Sequence, residues 1–93
     1  MSEFYDQEGR PMEIMEWGRA RQDLANIIVA RDERDEIMVS TVWIGIDHGW
    51  GQGPPIIFET MIFGGKHDQY QERYATRDEA LAGHARAVAL AFG

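Results

Sequence analysis

The sequence predicts an α+β domain: a four-stranded antiparallel β-meander with an N-terminal helix and a C-terminal helix packed on one face. Three observations predict it. Apolar, β-branched runs at residues 27–30, 37–46 and 56–63 have the length and composition of strands. The segments between them are short enough for antiparallel neighbours. A capping box, Thr76-Arg77-Asp78-Glu79, opens a helix that carries the chain to about residue 91. Ninety-three residues make a single domain, residues 1–93.

Taken in order, residues 4–6 read as a short extended piece and residues 7–11 as a turn punctuated by Gly9 and Pro11. Residues 12–24 place Ile14, Trp17 and Leu24 on one side, with Met15 nearby, as an amphipathic helix does. Gly18 in its middle weakens that helix by about 1 kcal/mol relative to Ala. Asn26 interrupts the pattern, and a β-hairpin follows: strand 27–30, a charged hexad 31–36 as its solvated turn, and strand 37–46. Residues 47–55 form the longest loop, carrying three Gly, two Pro and Trp50. A third strand spans 56–63 and ends at Gly64-Gly65. A fourth spans 69–75, with Tyr70, Glu72 and Tyr74 alternating against Gln71 and Arg73. In the last helix Asp78 and Glu79 suit the positive end of the helix dipole. Leu81, His84, Val88 and Ala91 share its packed face, with Ala80 and Ala87 beside them.

Composition excludes several classes. Hydrophobic residues are 44% of the chain, too many for a wholly disordered protein. Three Pro and no Cys exclude collagen-like and disulfide-scaffold designs. No apolar run approaches the roughly 20 residues of a membrane-spanning helix. The first six residues have neither a basic region nor an apolar stretch, so no signal peptide is expected and the expected compartment is the cytoplasm. With 16 Asp+Glu against 9 Lys+Arg, the formal net charge of -7 opposes direct binding to a nucleic-acid backbone. The acids concentrate in residues 1–36.

Candidate functional residues fall into three places. Asp47-His48 ends the long strand and enters the Gly-rich loop; a histidine beside an acid can be a general base, or simply an exposed loop residue beside a turn Asp. Glu59 interrupts an apolar strand whose face also carries Ile57, Met61 and Phe63. Thr41 and Arg73 on the flanking strands can meet it, and Glu59–Arg73 reads as a cross-strand ion pair. The other reading of Glu59 is a perturbed carboxylate in a cleft. His84 lies on the apolar face of the last helix, as a packed core histidine donating one hydrogen bond. No H-x-E-x-H, HExxH or paired-Cys spacing is present, so no metal is expected, and no cofactor. The acids Asp32, Glu33, Asp35 and Glu36 of the hexad, together with Trp50, are candidate interface residues.

The string Val39-Ser40-Thr41-Val42-Trp43-Ile44-Gly45-Ile46-Asp47-His48 is followed by Phe58-Glu59-Thr60-Met61-Ile62-Phe63-Gly64-Gly65, Arg73-Tyr74-Ala75-Thr76, Glu79-Ala80 and Gly83-His84. With Tyr5-Asp6, Gly9, Pro11 and Trp17, it resembles a family of small uncharacterised proteins encoded by bacteriophages and prophages of GC-rich hosts. The resemblance implies a setting, without assigning a reaction or catalytic roles. In that setting the expected function is a small acidic accessory protein that binds a host or phage protein. Its sharper form is an inhibitor of a host defence system, of the anti-CRISPR kind. Two alternatives stay open: a small enzyme or ligand-binding domain with a polar site around His48 and Glu59, and a structural or assembly part of the phage. A homodimer through the exposed sheet face or Trp50 is consistent with so small a sheet.

Overall fold

The computed structural model describes residues 3–49 and 53–93. Trp50 lies outside them. A small hairpin comes first, β1 (Phe4–Tyr5) against β2 (Pro11–Met12), then α1 (Ile14–Ala20) and a single turn, α2 (Leu24–Ile27). The main sheet follows as β3 (Ile28–Arg34), β4 (Ile37–Trp43), β5 (Phe58–Phe63) and β6 (Gln71–Tyr74), and α3 (Arg77–Phe92) closes the fold. The strands pair in sequence order, β3-β4-β5-β6, all antiparallel. This is the expected four-stranded meander with a C-terminal helix against it, plus an N-terminal helix and a small hairpin. Among the described residues no helix is long and apolar enough to cross a membrane.

Strand alternation sends β4 and β5 residues to two different environments. Val39, Thr41 and Trp43 on β4 and Phe58, Thr60 and Ile62 on β5 are buried beneath α3. The core has two parts. Trp43, Ile57, Phe58, Tyr74 and Ala80 form one, onto which Tyr5, Met12, Trp17 and Ala20 pack. Val39, Ile62 and Ala87 form the other. The helix meets the sheet through Ala80, Gly83, His84 and Ala87. Leu81, expected on that face, is exposed instead. The sheet supplies the bulk here, in Trp43, Phe58 and Tyr74, so the helix contributes small residues and approaches closely. Its start is as the sequence predicts: the Thr76 hydroxyl accepts the Glu79 N–H at 3.1 Å, and the Glu79 carboxylate accepts the Thr76 N–H at 3.1 Å.

Three expectations need correction. The single helix over 12–24 is two short ones, and Ile14 and Leu24 are exposed at 60% and 67%. Only Trp17 and Ala20 of α1 reach the core. Asp23 explains the break: its side chain accepts the Ala25 N–H at 3.0 Å and starts a new turn. The piece at 4–6 belongs to a hairpin, because Asp6 accepts backbone N–H groups from Glu8 and Arg10 and folds the chain back. The charged hexad is mostly strand. Its first four residues, Arg31 to Arg34, pair with Ser40 to Ile37, and only Asp35-Glu36 make the turn. Charged side chains are at home on an edge strand, which β3 is.

Candidate functional site

The register of the sheet brings buried polar residues into one row. Thr41 on β4 lies opposite Thr60 on β5, and Thr60 lies opposite Glu72 on β6. Residues directly opposite share a face, and this row faces α3. The helix delivers His84 onto it. The result is a continuous hydrogen-bonded chain under the helix. The Thr41 and Thr60 hydroxyls are 2.5 Å apart, and Thr41 Oγ1 is 2.7 Å from His84 Nδ1. His84 Nε2 is 2.7 Å from Asp32 Oδ2 at one end. At the other, the Tyr74 hydroxyl is 3.0 Å from Thr60 Oγ1 and 2.9 Å from Glu72 Oε1, and Arg86 donates to Glu72 at 3.0 Å.

The protons in this chain can be placed. A carboxylate only accepts, so His84 Nε2 carries the hydrogen that reaches Asp32. In the neutral ring Nδ1 then accepts the Thr41 hydroxyl proton, and Thr41 accepts from Thr60. Tyr74 has one proton and two acceptors at nearly equal distance, Thr60 and Glu72. The chain is thus polarised from Tyr74 toward Asp32. Among the described residues no buried side-chain nitrogen or oxygen lacks a partner. In a low-dielectric interior a fully satisfied network is rigid, and each member is costly to remove.

Charge surrounds the Tyr74 end. Burial, reinforced by the Glu72 carboxylate and opposed by the bond to Thr60, pushes the Tyr74 phenol up to about 12. Burial also pushes Tyr70 up, with Glu72 adding to it. Burial acts to raise the Glu72 carboxyl too, but hydrogen bonds from Arg86 and Tyr74 outweigh it and hold it below the usual carboxylate range.

Asp32, His84 and Thr41 are an acid, an imidazole and a hydroxyl in series, the same order of groups that activates a hydroxyl nucleophile. A nucleophile must also meet its substrate. Thr41 is 0% exposed and sits beneath α3, with Thr60 against its hydroxyl. The arrangement therefore fixes the helix on the sheet and the histidine tautomer. Beside Asp32, whose side chain is half exposed, lies a shallow cavity of about 220 Å³ lined by Asp32, Glu33, Arg34, Val88 and Phe92. A second, of about 340 Å³, lies among Asp6, Gln7, Glu8, Ala25, Asn26 and Trp43.

The remaining candidate residues lie elsewhere. Glu59 and Arg73 are opposite one another on the other face of the sheet and form the expected ion pair, at 2.9 Å. Gln71 adds a hydrogen bond to Glu59 at 2.5 Å. Thr41 does not join them, because alternation turns it toward α3. Ile57 does not share their face either; it is fully buried with Trp43 and Phe58. Asp47 organises its loop: Oδ1 accepts the N–H of Gly49 at 2.7 Å and of Ile56 at 2.9 Å, closing the base of residues 48–55. His48 is exposed, and its own N–H donates to the Ile56 carbonyl at 2.9 Å. The six polar candidates thus fall into three places. Among the described residues no three metal-ligating side chains come together.

Sequence reasoning named Thr60 only as a polar position of the motif string, did not assign Tyr74 or Glu72 to a site, and placed Asp32 in a solvated turn. One signal was available. Pairing the strands antiparallel through Glu59–Arg73 puts Thr60 opposite Glu72. The link from Asp32 to His84, 52 residues away, is tertiary and left no local trace.

The fold and network define a small α+β domain with a helix locked to its sheet by buried polar groups. Comparison with protein-family models, with curated proteins and with solved structures finds no match.

Proposed function

We propose that this chain is a small acidic accessory protein of a bacteriophage or prophage that acts by binding another protein. Its sharpest target is a host defence complex of the CRISPR kind, engaged on the basic groove that handles nucleic acid. The observation that carries this reading is the tip of the β3–β4 hairpin. Asp35 and Glu36 form a two-residue turn with φ of 53° and 67°. Such a turn needs the left-handed region at both positions, and Asn-Gly or Asp-Gly adopts it most easily. Glutamate at the second position is a poor choice for folding. Charge at this left-handed tip is thus not explained by the needs of the turn, which supports a role in binding.

Glu33, exposed and 3.3 Å from Arg31, lies on the strand leading into this turn, within a chain of net charge -7. A field of that sign steers the protein toward a basic surface and repels nucleic acid. The resemblance to phage-encoded proteins supplies the setting.

The test uses wild type and a Glu33→Lys/Asp35→Asn/Glu36→Gly variant, which reverses or removes charge while keeping a favourable turn. Each is expressed in a bacterium whose CRISPR system restricts a phage. Restored plaquing with wild type, lost in the variant, is expected. Absence of protection by wild type, or equal protection by the variant, overturns the reading. Binding to the purified effector complex should weaken as salt rises.

A further inference from the structure

We propose that the hydrogen-bonded chain under α3 is a proton-driven switch: when the His84 ring takes up a second proton, every hydroxyl in the chain reverses, and the change is delivered to Tyr74 and Glu72 at the far end.

The protons of the chain can be counted. It has five links, Asp32–His84, His84–Thr41, Thr41–Thr60, Thr60–Tyr74 and Tyr74–Glu72, each 2.5–3.0 Å long. A carboxylate closes either end. Burial acts to raise the Glu72 carboxyl, but hydrogen bonds from Arg86 and Tyr74 hold it below the usual carboxylate range, so it only accepts. Asp32, its side chain half exposed, is the solvated end. With a neutral ring, four protons serve the five links, one each from His84, Thr41, Thr60 and Tyr74. Among the described residues none of the three hydroxyls has an acceptor outside the chain. One link is therefore empty. It falls at Tyr74, which has a single proton for Thr60 at 3.0 Å and Glu72 at 2.9 Å. Two oxygens then face each other with no hydrogen between them, which is costly in a low-dielectric interior.

A second proton on the ring fills the chain. An imidazole is more basic than a carboxylate, so the proton enters at His84. Nδ1 then donates to Thr41, Thr41 to Thr60, Thr60 to Tyr74, and Tyr74 to Glu72. The ring gains one proton from water, and each hydroxyl proton turns about its C–O bond. The two directions are two states of one packed arrangement, as a switch requires. Entry is at the surface, because Asp32 lines the shallow cavity beside Val88 and Phe92. Few charged groups face the ring. Strand β3 brings Asp32 at 2.7 Å, and Arg34, whose guanidinium is held by the carbonyl and ring of Phe92. Beneath the helix β4 and β5 present neutral residues, Val39, Thr41, Trp43, Phe58, Thr60 and Ile62. From β6 come Tyr70, Glu72 and Tyr74, and α3 itself adds Arg86, bound to Glu72. The buried imidazolium is thus paired with Asp32 directly and with Glu72 through the hydroxyls, as a buried charge must be.

NMR of the full chain reads both ends, from about pH 5 to 8, where histidine changes charge. The ¹⁵N shifts of the His84 ring report the second proton, and the ¹³C shift of Tyr74 Cζ reports its hydrogen bonding. In wild type the two curves should share one midpoint. Thr60→Val cuts the chain, so His84 should still titrate while Tyr74 Cζ stays flat. Thr60→Ser keeps the hydroxyl and should restore the coupling. Tyr74→Phe removes the empty link without removing a formal charge, so the midpoint of His84 should move to lower pH. The wild-type comparison needs no substitution and stands even if a variant fails to fold. A His84 that keeps one protonation state across the range overturns the proposal, as does a Tyr74 that does not follow it. Coupling that survives Thr60→Val, or a Tyr74→Phe midpoint that does not fall, overturns it too.

Discussion

The hydroxyl of Tyr74 occupies the space that a side chain at Gly83 would need. A Cβ built on Gly83 would stand 2.0 Å from that oxygen. The residue after Gly83 is His84, so one turn of α3 both accepts the tyrosine and delivers the imidazole. Gly83→Ala should therefore destabilise the fold, by about 2 kcal/mol or more, because Tyr74 must move and take its bonds to Thr60 and Glu72 with it. Gly18 in α1 is the control, since a Cβ placed there would meet nothing within 4 Å. There Gly18→Ala should stabilise by about 0.5–1 kcal/mol through helix propensity. Urea denaturation of both variants gives the two signs, and a stabilising Gly83→Ala would refute the packing argument.

His84 should be the Nε2–H tautomer when neutral, since Asp32 can only accept and Nδ1 faces the Thr41 hydroxyl. Long-range ¹⁵N–¹H correlation spectra distinguish the tautomers directly. Thr41→Val keeps the shape and removes the hydroxyl, leaving His84 Nδ1 and Thr60 without a shared partner. It should cost about 1–3 kcal/mol. A near-neutral Thr41→Val would show that the chain of hydroxyls contributes little.

The sheet was legible because its strands are β-branched runs and its register follows from alternation. The Glu59–Arg73 pair was legible for the same reason: both sit on neighbouring strands at positions that end up opposite. The helix start was legible because Thr76 and Glu79 are a local motif. The break in the N-terminal helix was not, because Asp23 suits an exposed position within one long helix as readily as the N-cap of a new turn. The network under α3 was not legible as a whole. Thr41 and His84 stood out singly, but Tyr74 joins them only through the gap at Gly83, and Asp32 only through the close approach of the edge strand to the helix.

Tyr74 gives the fold an alkaline limit. Burial, with the Glu72 carboxylate adding to it, pushes its phenol up to about 12 from the ordinary 10.0. The folded state holds this proton more tightly than the unfolded chain does, so the stabilisation is complete below about pH 10 and is lost as pH rises toward 12. Phenolate absorbance should show Tyr74 titrating last, beyond a Tyr70 that is itself raised, together with loss of near-UV circular dichroism. Tyr74→Phe should remove that late titration and flatten stability across the same window. An ordinary Tyr74 titration in the intact fold would contradict its place in the network.

The hairpin tip separates folding from binding. Asp35 and Glu36 both occupy the left-handed region, which favours Asn and Gly. Asp35→Asn/Glu36→Gly should raise stability by about 1 kcal/mol, as relief of strain at one turn allows, with the β3–β4 register unchanged by NMR. If the acids serve a basic partner, the same variant should bind that partner less well and lose part of the salt dependence. The two effects have opposite signs, so general unfolding cannot mimic them. A variant that is more stable and equally competent would mean that the tip's charge is incidental. One that is less stable would mean that Asp35 and Glu36 serve the hairpin itself.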